Sequence, residues 1–116
     1  MKSFDNTFSF VRILAGKHAG EYGYIEDTFG KKIGVVSGKP NGDRFECLVS
    51  PADVERNLTK DEMRIAKECA LNFYQHDIAS KMDYMATCEN ESEKESVANI
   101  IAMRHNKMTN VKTIVL

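Results

Sequence analysis

Glycine and proline are confined to one part of this chain. All seven glycines and both prolines of the 116 residues lie between Gly16 and Pro51, and neither type occurs afterwards. Glycine and proline mark turns between strands and are unfavourable inside helices. Five of the six methionines follow Pro51, among apolar residues that recur at helical spacing. The distribution predicts a β-domain over residues 1–56 and a helical region over residues 57–116, packed together as one compact unit.

The first region contains four short segments whose apolar and β-branched side chains are typical of strands. They span residues 8–14, 22–27, 33–37 and 44–49. Asn41-Gly42 is a strong hairpin signal because both residue types tolerate the positive φ angles of a type I′ turn. Four such strands are too few for a sandwich and predict a small, strongly bent barrel. Residues 50–54 would then form a tight turn before a very short fifth strand.

The second region begins with Thr59 and Glu62, whose spacing predicts a capping box at a helix N-terminus. Apolar side chains follow at spacings of mostly three and four, which indicates one face of a long helix. These side chains are Met63, Ala66, Ala70, Phe73, Tyr74, Ile78, Met82 and Met85.

A break at residues 88–91 separates this helix from a shorter one. Ser92 and Glu95 suggest a second capping box. Two helices with a short connection usually pack antiparallel, and residues 111–116 favour a short C-terminal strand or tail. The predicted fold class is α+β, a small barrel followed by a helical hairpin. The residues that mark the second helix are Val97, Ile100, Ile101, Arg104 and Met108.

Three glycines stand close together: Gly16 and Gly20 lie between the first two predicted strands, and Gly23 lies inside the second. Their spacing is not that of a dinucleotide fingerprint, which opens a helix, nor of a phosphate-binding loop. It fits a tight loop in which Gly16 and Gly20 supply positive φ or close approach. Gly23 would mark a bend or bulge at a barrel corner.

The segment VRILAGKHAGEYGYI, residues 11–25, resembles a KOW motif. In that motif an apolar strand leads into a glycine, a basic loop, two further glycines and another apolar strand. The resemblance implies an SH3-like barrel over residues 8–55, of the type found in NusG-like transcription factors and several ribosomal proteins. The helical half has no counterpart in it. Turn geometry alone explains the three glycines equally well.

The resemblance also implies contacts through the barrel loops, with nucleic acid or with a protein of the transcription or translation machinery. Phosphate contacts need cations, and base stacking needs aromatic rings. The barrel region has as many acidic as basic side chains, so any basic patch is local, and solvated loop lysines are the plain alternative. The candidates are Lys17, His18, Lys31, Lys32, Lys39 and Arg44, with the rings of Tyr22, Tyr24 and Phe29.

The sequence gives no positive indication of catalysis or of a cofactor. Histidines and cysteines lack the spacing of a metal site, and no serine, cysteine or acid pair has a catalytic context. The three cysteines, an odd number at wide spacing, favour reduced thiols and a cytoplasmic location. No apolar stretch is long enough to span a membrane. We therefore expect no catalytic residues, no metal and no cofactor.

Two functional hypotheses remain open. The first is a KOW-type regulator that contacts nucleic acid or the transcription or translation machinery. The second is a small protein-binding inhibitor or adaptor, of phage or mobile-element type, directed at a host factor. Homodimerisation through the tail or the helices is compatible with either. A continuous positive stripe would favour the first hypothesis, and an exposed apolar patch the second.

Overall fold

The structure is a computed structural model that describes residues 9–116, so the predicted strand start at Phe8 lies outside the described residues. The fold class is α+β, as predicted. The strands are β1 (Phe10–Ile13), β2 (Tyr22–Phe29), β3 (Lys32–Gly38), β4 (Arg44–Val49) and β5 (Val54–Glu55), and the helices are α1 (Lys60–Thr87) and α2 (Glu91–Lys112).

The strands form one antiparallel sheet in the order β4-β3-β2-β1-β5, curled into a half-barrel. A single 3-10 turn, Pro51–Asp53, follows β4 and directs the chain back to β1. The predicted fifth strand is confirmed, because Val54 pairs with Ile13 and Glu55 with Arg12.

The sheet buries both of its faces. One face carries Val11, Ile13 and Val35 in a cluster that contains no helical residue, so this cluster fills the inside of the curl. The other face carries Phe10 and Val36 and packs against the two helices. Side chains that alternate along each strand therefore enter two separate hydrophobic clusters, one on each face of the sheet. This explains why β3 is buried along most of its length.

Of the three glycines between β1 and the start of β2, Gly16 and Gly20 have the predicted loop geometry. Gly16 and Gly20 have φ angles of +88° and +90°, which side chains with a β-carbon rarely adopt. Gly23 is a point of close approach, since an added β-carbon would lie 2.8 Å from the carbonyl oxygen of Val36. The bulge expected at Gly23 lies further along β2, where the register shifts between Ile25 and Asp27.

The Asn41-Gly42 hairpin is confirmed, but its turn type is not. Of the two residues, only Gly42 has a positive φ, at +100°; Asn41, like every described non-glycine residue, does not. A type I′ turn would need it at both central positions. The amide of Gly42 instead bonds the carbonyl of Lys39, and the amide of Lys39 bonds the carbonyl of Asp43. Pro40 fixes a negative φ after Lys39, which favours a type I turn followed by glycine.

The helical hairpin begins as predicted and departs from prediction at its second helix. Thr59 and Glu62 form the capping box. The N-cap of α2 is Asn90, whose side chain accepts from the amide of Glu93, so the predicted Ser92 box is wrong. The Tyr84 hydroxyl donates to Glu93 and links the two helices near their connection. Within residues 9–116, no helix is long and apolar enough to cross a membrane.

The C-terminal residues form a tail and not a strand. Val111 and Lys112 complete α2, and Ile114 is buried against the helical core. The Lys67 ammonium donates to the carbonyl of Ile114 at 2.6 Å and to that of Lys112 at 3.3 Å. A cation is favourable at the C-terminal carbonyls of a helix. Lys67 therefore binds the tail to α1, and the tail does not pair with the sheet.

Candidate functional site

Four of the predicted cationic residues lie at one end of the sheet, and His18, Lys39 and Arg44 line one depression there. The β1–β2 loop carries Lys17 and His18, and the β3–β4 hairpin places Lys39 and Arg44 beside it. The imidazole of His18 stacks on the ring of Phe45 with centroids 3.7 Å apart. Two of these cations have acidic partners, because Lys39 lies 3.8 Å from Glu21 and Arg44 lies 3.4 Å from Asp77.

Lys31 and Lys32 lie at the opposite end of the sheet, at the β2–β3 hairpin. β3 runs seven residues from Lys32 to Gly38, which separates the two ends by about 20 Å. The six predicted cations therefore form two separate groups and not one stripe.

The predicted stacking residues Tyr22 and Tyr24 face the helices. The Tyr22 hydroxyl donates to Glu62 at 2.7 Å, and this hydrogen bond raises the pKa of Tyr22. The Tyr24 ring lies 5.6 Å from that of Phe10, and burial raises the pKa of Tyr24. Both rings pack at the edge of the helical core, so they join the sheet to α1.

A buried ion cluster fixes α2 against the sheet. Arg104 donates to both carboxylate oxygens of Glu26, at 2.7 and 2.9 Å, and to Glu46 at 3.3 Å. Its guanidinium also lies 5.1 Å from the centre of the Phe73 ring. Burial alone would lower the pKa of Arg104, but the carboxylates of Glu26, Glu46 and Asp77 raise it above its ordinary value. Arg104 thus joins α2 to β2, β4 and α1.

Asp77 on α1 is the second centre of this cluster. It contacts Lys81 at 2.9 Å and Arg44 at 3.4 Å. The Nε atom of Arg104 lies 3.2 Å from its Oδ2 atom, although the angle is not that of a hydrogen bond. This pair therefore attracts as opposite charges, while the other contacts supply the directional bonds.

Sequence reasoning counted Arg104 among the residues that mark the second helix but assigned it no role. The available signal was a cation at a position otherwise taken by apolar side chains, because charged groups are buried almost only when paired. Its partners Glu26, Glu46 and Asp77 come from three other elements, so the pairing is not visible along the chain.

Beside this cluster, the helix-covered face of the sheet opens into a largely apolar groove of about 390 Å³, and Glu26, Glu46 and Arg104 form part of its lining. Phe29, Leu48 and Met103 line it and are 54%, 56% and 44% exposed. Gly34 and Val36 form part of its lining. An added β-carbon on Gly34 would lie 3.0 Å from the Phe29 ring, so that ring lies over the glycine. Three large apolar side chains therefore share one solvent-facing depression.

The groove lies beside an open edge of the sheet. β4 pairs with β3 from Arg44 to Val49, and in the described part of the chain no strand pairs with its outer edge. Met103 precedes Arg104 on α2, so the ion cluster fixes the helical wall of the groove.

Among the described residues, no group of three histidine, cysteine or acidic side chains could hold a metal ion. Cys47, Cys69 and Cys88 are unpaired thiols, and burial raises the pKa of the first two. No family model, curated protein or solved structure matches this chain. The fold and the groove define it as an α+β protein with a half-barrel sheet, a helical hairpin and an exposed apolar depression beside β4.

Proposed function

We propose that this protein is a non-enzymatic binding module that takes a segment of a partner protein in the apolar groove. One observation carries the proposal: Phe29, Leu48 and Met103 are all about half exposed and line the same depression. Single exposed apolar side chains are ordinary, whereas a contiguous apolar depression with polar neighbours is typical of interaction sites. The KOW resemblance favours a partner from the transcription or translation machinery.

The buried ion cluster contributes to the groove by fixing the helix that forms one of its walls. Arg104 and Glu26 are each at most 10% exposed, and burying charges is costly unless they are well paired. The directional bonds of Arg104 fix α2 at one position over the sheet. A fixed helix gives the groove a constant width, which is what a preformed binding site requires.

The test compares retention of proteins from nuclease-treated lysate on three immobilised full-length forms. The groove variant carries Phe29→Ser and Leu48→Ser. The control carries Ile65→Ser and Val115→Ser, two exposed apolar side chains outside the groove. We expect the wild type and the control to retain the same protein, and the groove variant to lose it while melting at a similar temperature. Retention that is equal for all three forms would contradict the proposal.

A second candidate is nucleic-acid binding at the loop end, favoured by the position of Lys17, His18, Lys39 and Arg44 there. Two of these cations have acidic partners, so we expect only about two to four effective phosphate contacts and a correspondingly shallow salt slope.

Titration of labelled DNA and RNA at two salt concentrations tests this candidate. Charge reversal at Lys17 and Lys39 should flatten the dependence of log K on log salt by roughly one to two units. The same reversal at Lys31 and Lys32, at the other end of the sheet, is the spatial control and should change it less. No binding at the lower salt concentration would eliminate nucleic acid as the ligand.

A further inference from the structure

We infer that the groove's occupant is an extended, largely apolar protein segment that adds to the outer edge of β4 and presents a lysine or arginine to Glu46. This inference rests on the proposed protein-binding function and specifies the chemistry of the partner. It depends on three features of β4: its open edge, the side chains of its two faces, and the exposed negative charge of Glu46.

The edge of β4 offers backbone hydrogen bonds. Six consecutive residues of β4 pair in register with β3, from Arg44 opposite Gly38 to Val49 opposite Ile33. In the described part of the chain the other edge of β4 has no strand partner. An extended segment can add to such an edge through main-chain hydrogen bonds, while pockets beside the edge select its alternate side chains.

The two faces of β4 define the pattern of the incoming segment. Glu46 and Leu48 point to the groove, and Leu48 lies there beside Phe29 and Met103. Cys47 and Val49 point to the inside of the curl and are half-buried. An added strand therefore meets apolar side chains on both faces, except opposite Glu46 and opposite Arg44 at the start of β4, and Arg44 is already paired with Asp77.

The more exposed charge on the groove face of β4 is negative, since Arg44 on the same face is less exposed and pairs with Asp77. The Glu46 side chain is 56% exposed, and its contact with Arg104, at 3.3 Å, is longer than the two bonds that Nη1 of Arg104 donates to Glu26 at 2.7 and 2.9 Å. Lys107, the other cation of the groove, also contacts Glu26. Opposite charges directly across two strands stabilise the pair. A basic side chain two residues from an apolar one would face Glu46 while the apolar one faces Leu48.

A second copy of β4 fits this edge less well than such a segment. Antiparallel self-pairing that sets Arg44 opposite Glu46 would set Leu48 opposite Gly42 in the hairpin. Self-pairing that sets Leu48 opposite Leu48 would set Glu46 opposite Ser50. No such register supplies both the apolar and the basic partner, and Arg44 already contacts Asp77.

The test pans a random twelve-residue peptide display library against the full-length protein in three forms. These are the wild type, Glu46→Lys, and the groove variant Phe29→Ser with Leu48→Ser. The wild type should enrich peptides in which apolar residues surround one lysine or arginine. Glu46→Lys should enrich peptides with aspartate or glutamate in place of that cation. The groove variant should enrich neither set.

Affinity measurements on one enriched peptide complete the test and cover the case in which Glu46→Lys does not fold. Glu46→Gln should weaken binding of that peptide about twofold to fivefold, the effect of one cross-strand charge pair. Asp83→Lys, at an exposed position of α1, is the control and should leave the affinity unchanged.

The outcomes separate the inference from the function on which it rests. Enriched peptides without a basic residue, or equal affinity for wild type and Glu46→Gln, would overturn the charge inference and leave the groove function standing. Equal enrichment on the wild type and the groove variant would overturn both. Sedimentation of the wild type as a dimer that Leu48→Ser converts to a monomer would identify a second copy as the occupant and overturn the inference.

Discussion

Arg104→Met tests whether the buried ion cluster holds α2 against the sheet. Methionine keeps a long apolar stem beside Phe73 but removes the guanidinium from Glu26, Asp77 and Glu46. Glu26 would then remain buried without its principal cation, and Asp77 would lose one of its three cationic neighbours. Removing one partner of a buried ion pair costs about 3–5 kcal/mol, because the remaining charge has lost its solvation and its compensation together.

The structure sets the expected cost at the lower end of this range. Glu26 keeps Lys107 at 3.6 Å, and Asp77 keeps Lys81 at 2.9 Å and Arg44 at 3.4 Å. Neither carboxylate is left without a cation. We therefore expect the free energy of unfolding to fall by about 3 kcal/mol at pH 7.

Urea denaturation followed by circular dichroism measures this loss. With a slope of about 2 kcal/mol per molar urea, a loss of about 3 kcal/mol lowers the midpoint by about 1.5 M. Lys107→Met is the matched control, because Lys107 contacts the same carboxylate but is more exposed than Arg104. It should cost less than about 1 kcal/mol. A midpoint for Arg104→Met equal to that of the wild type would refute the role given to the cluster.

Glu26→Gln, combined with Arg104→Met, separates two contributions of Arg104 to stability: its ion pair with Glu26 and the packing of its apolar stem. If Arg104 acts through its charge, the second substitution removes a carboxylate that the first leaves uncompensated. The loss in the double variant should then fall short of the sum of the two single losses by about 1 kcal/mol or more. Strict additivity would show that Arg104 stabilises the fold only through the packing of its stem.

Local features of the fold were predictable from the sequence because their causes are local. Gly16, Gly20 and Gly42 have the positive φ angles that their loops require, and Thr59 with Glu62 caps α1. The turn type at Asn41 was misjudged because the preceding proline outweighs the asparagine-glycine preference. The α2 cap was misjudged because Asn90 and Ser92 both suit an N-cap and lie only two positions apart.

Long-range features could not be predicted, because they depend on which elements meet. The groove exists where the helices stop covering the sheet, so Phe29 and Leu48 are exposed although they have the same apolar character as core residues. Met103 also lines the groove, and nothing in its sequence neighbourhood distinguishes it from a core methionine. Tyr22 and Tyr24 were interpreted as ligand contacts and face the helices, because residue type alone does not reveal which face of a strand is covered.

Three further predictions concern the glycines at the start of β2, the C-terminal tail and the capping box of α1. Gly23→Val should destabilise the fold more than Gly20→Val, since the first places a β-carbon 2.8 Å from a backbone carbonyl and the second strains only the loop. We expect losses of about 3 and about 1 kcal/mol in urea denaturation, and wild-type midpoints for both would contradict the close-approach reading. Removing Ile114–Leu116 should cost about 2 kcal/mol, because Ile114 is buried, while the sedimentation coefficient stays that of the parent; a change of oligomer would instead show that the tail joins two copies. The pKa of Glu62 is lowered by hydrogen bonds from the Thr59 amide and then from the Tyr22 hydroxyl. A group with a lowered pKa contributes stability that is present above its unfolded pKa and is lost as the pH falls through its folded pKa. Wild-type thermal stability should therefore fall below about pH 4 more steeply than that of Glu62→Gln, whose amide can still close the capping box but does not titrate; parallel profiles for the two proteins would show that this carboxylate does not couple folding to pH.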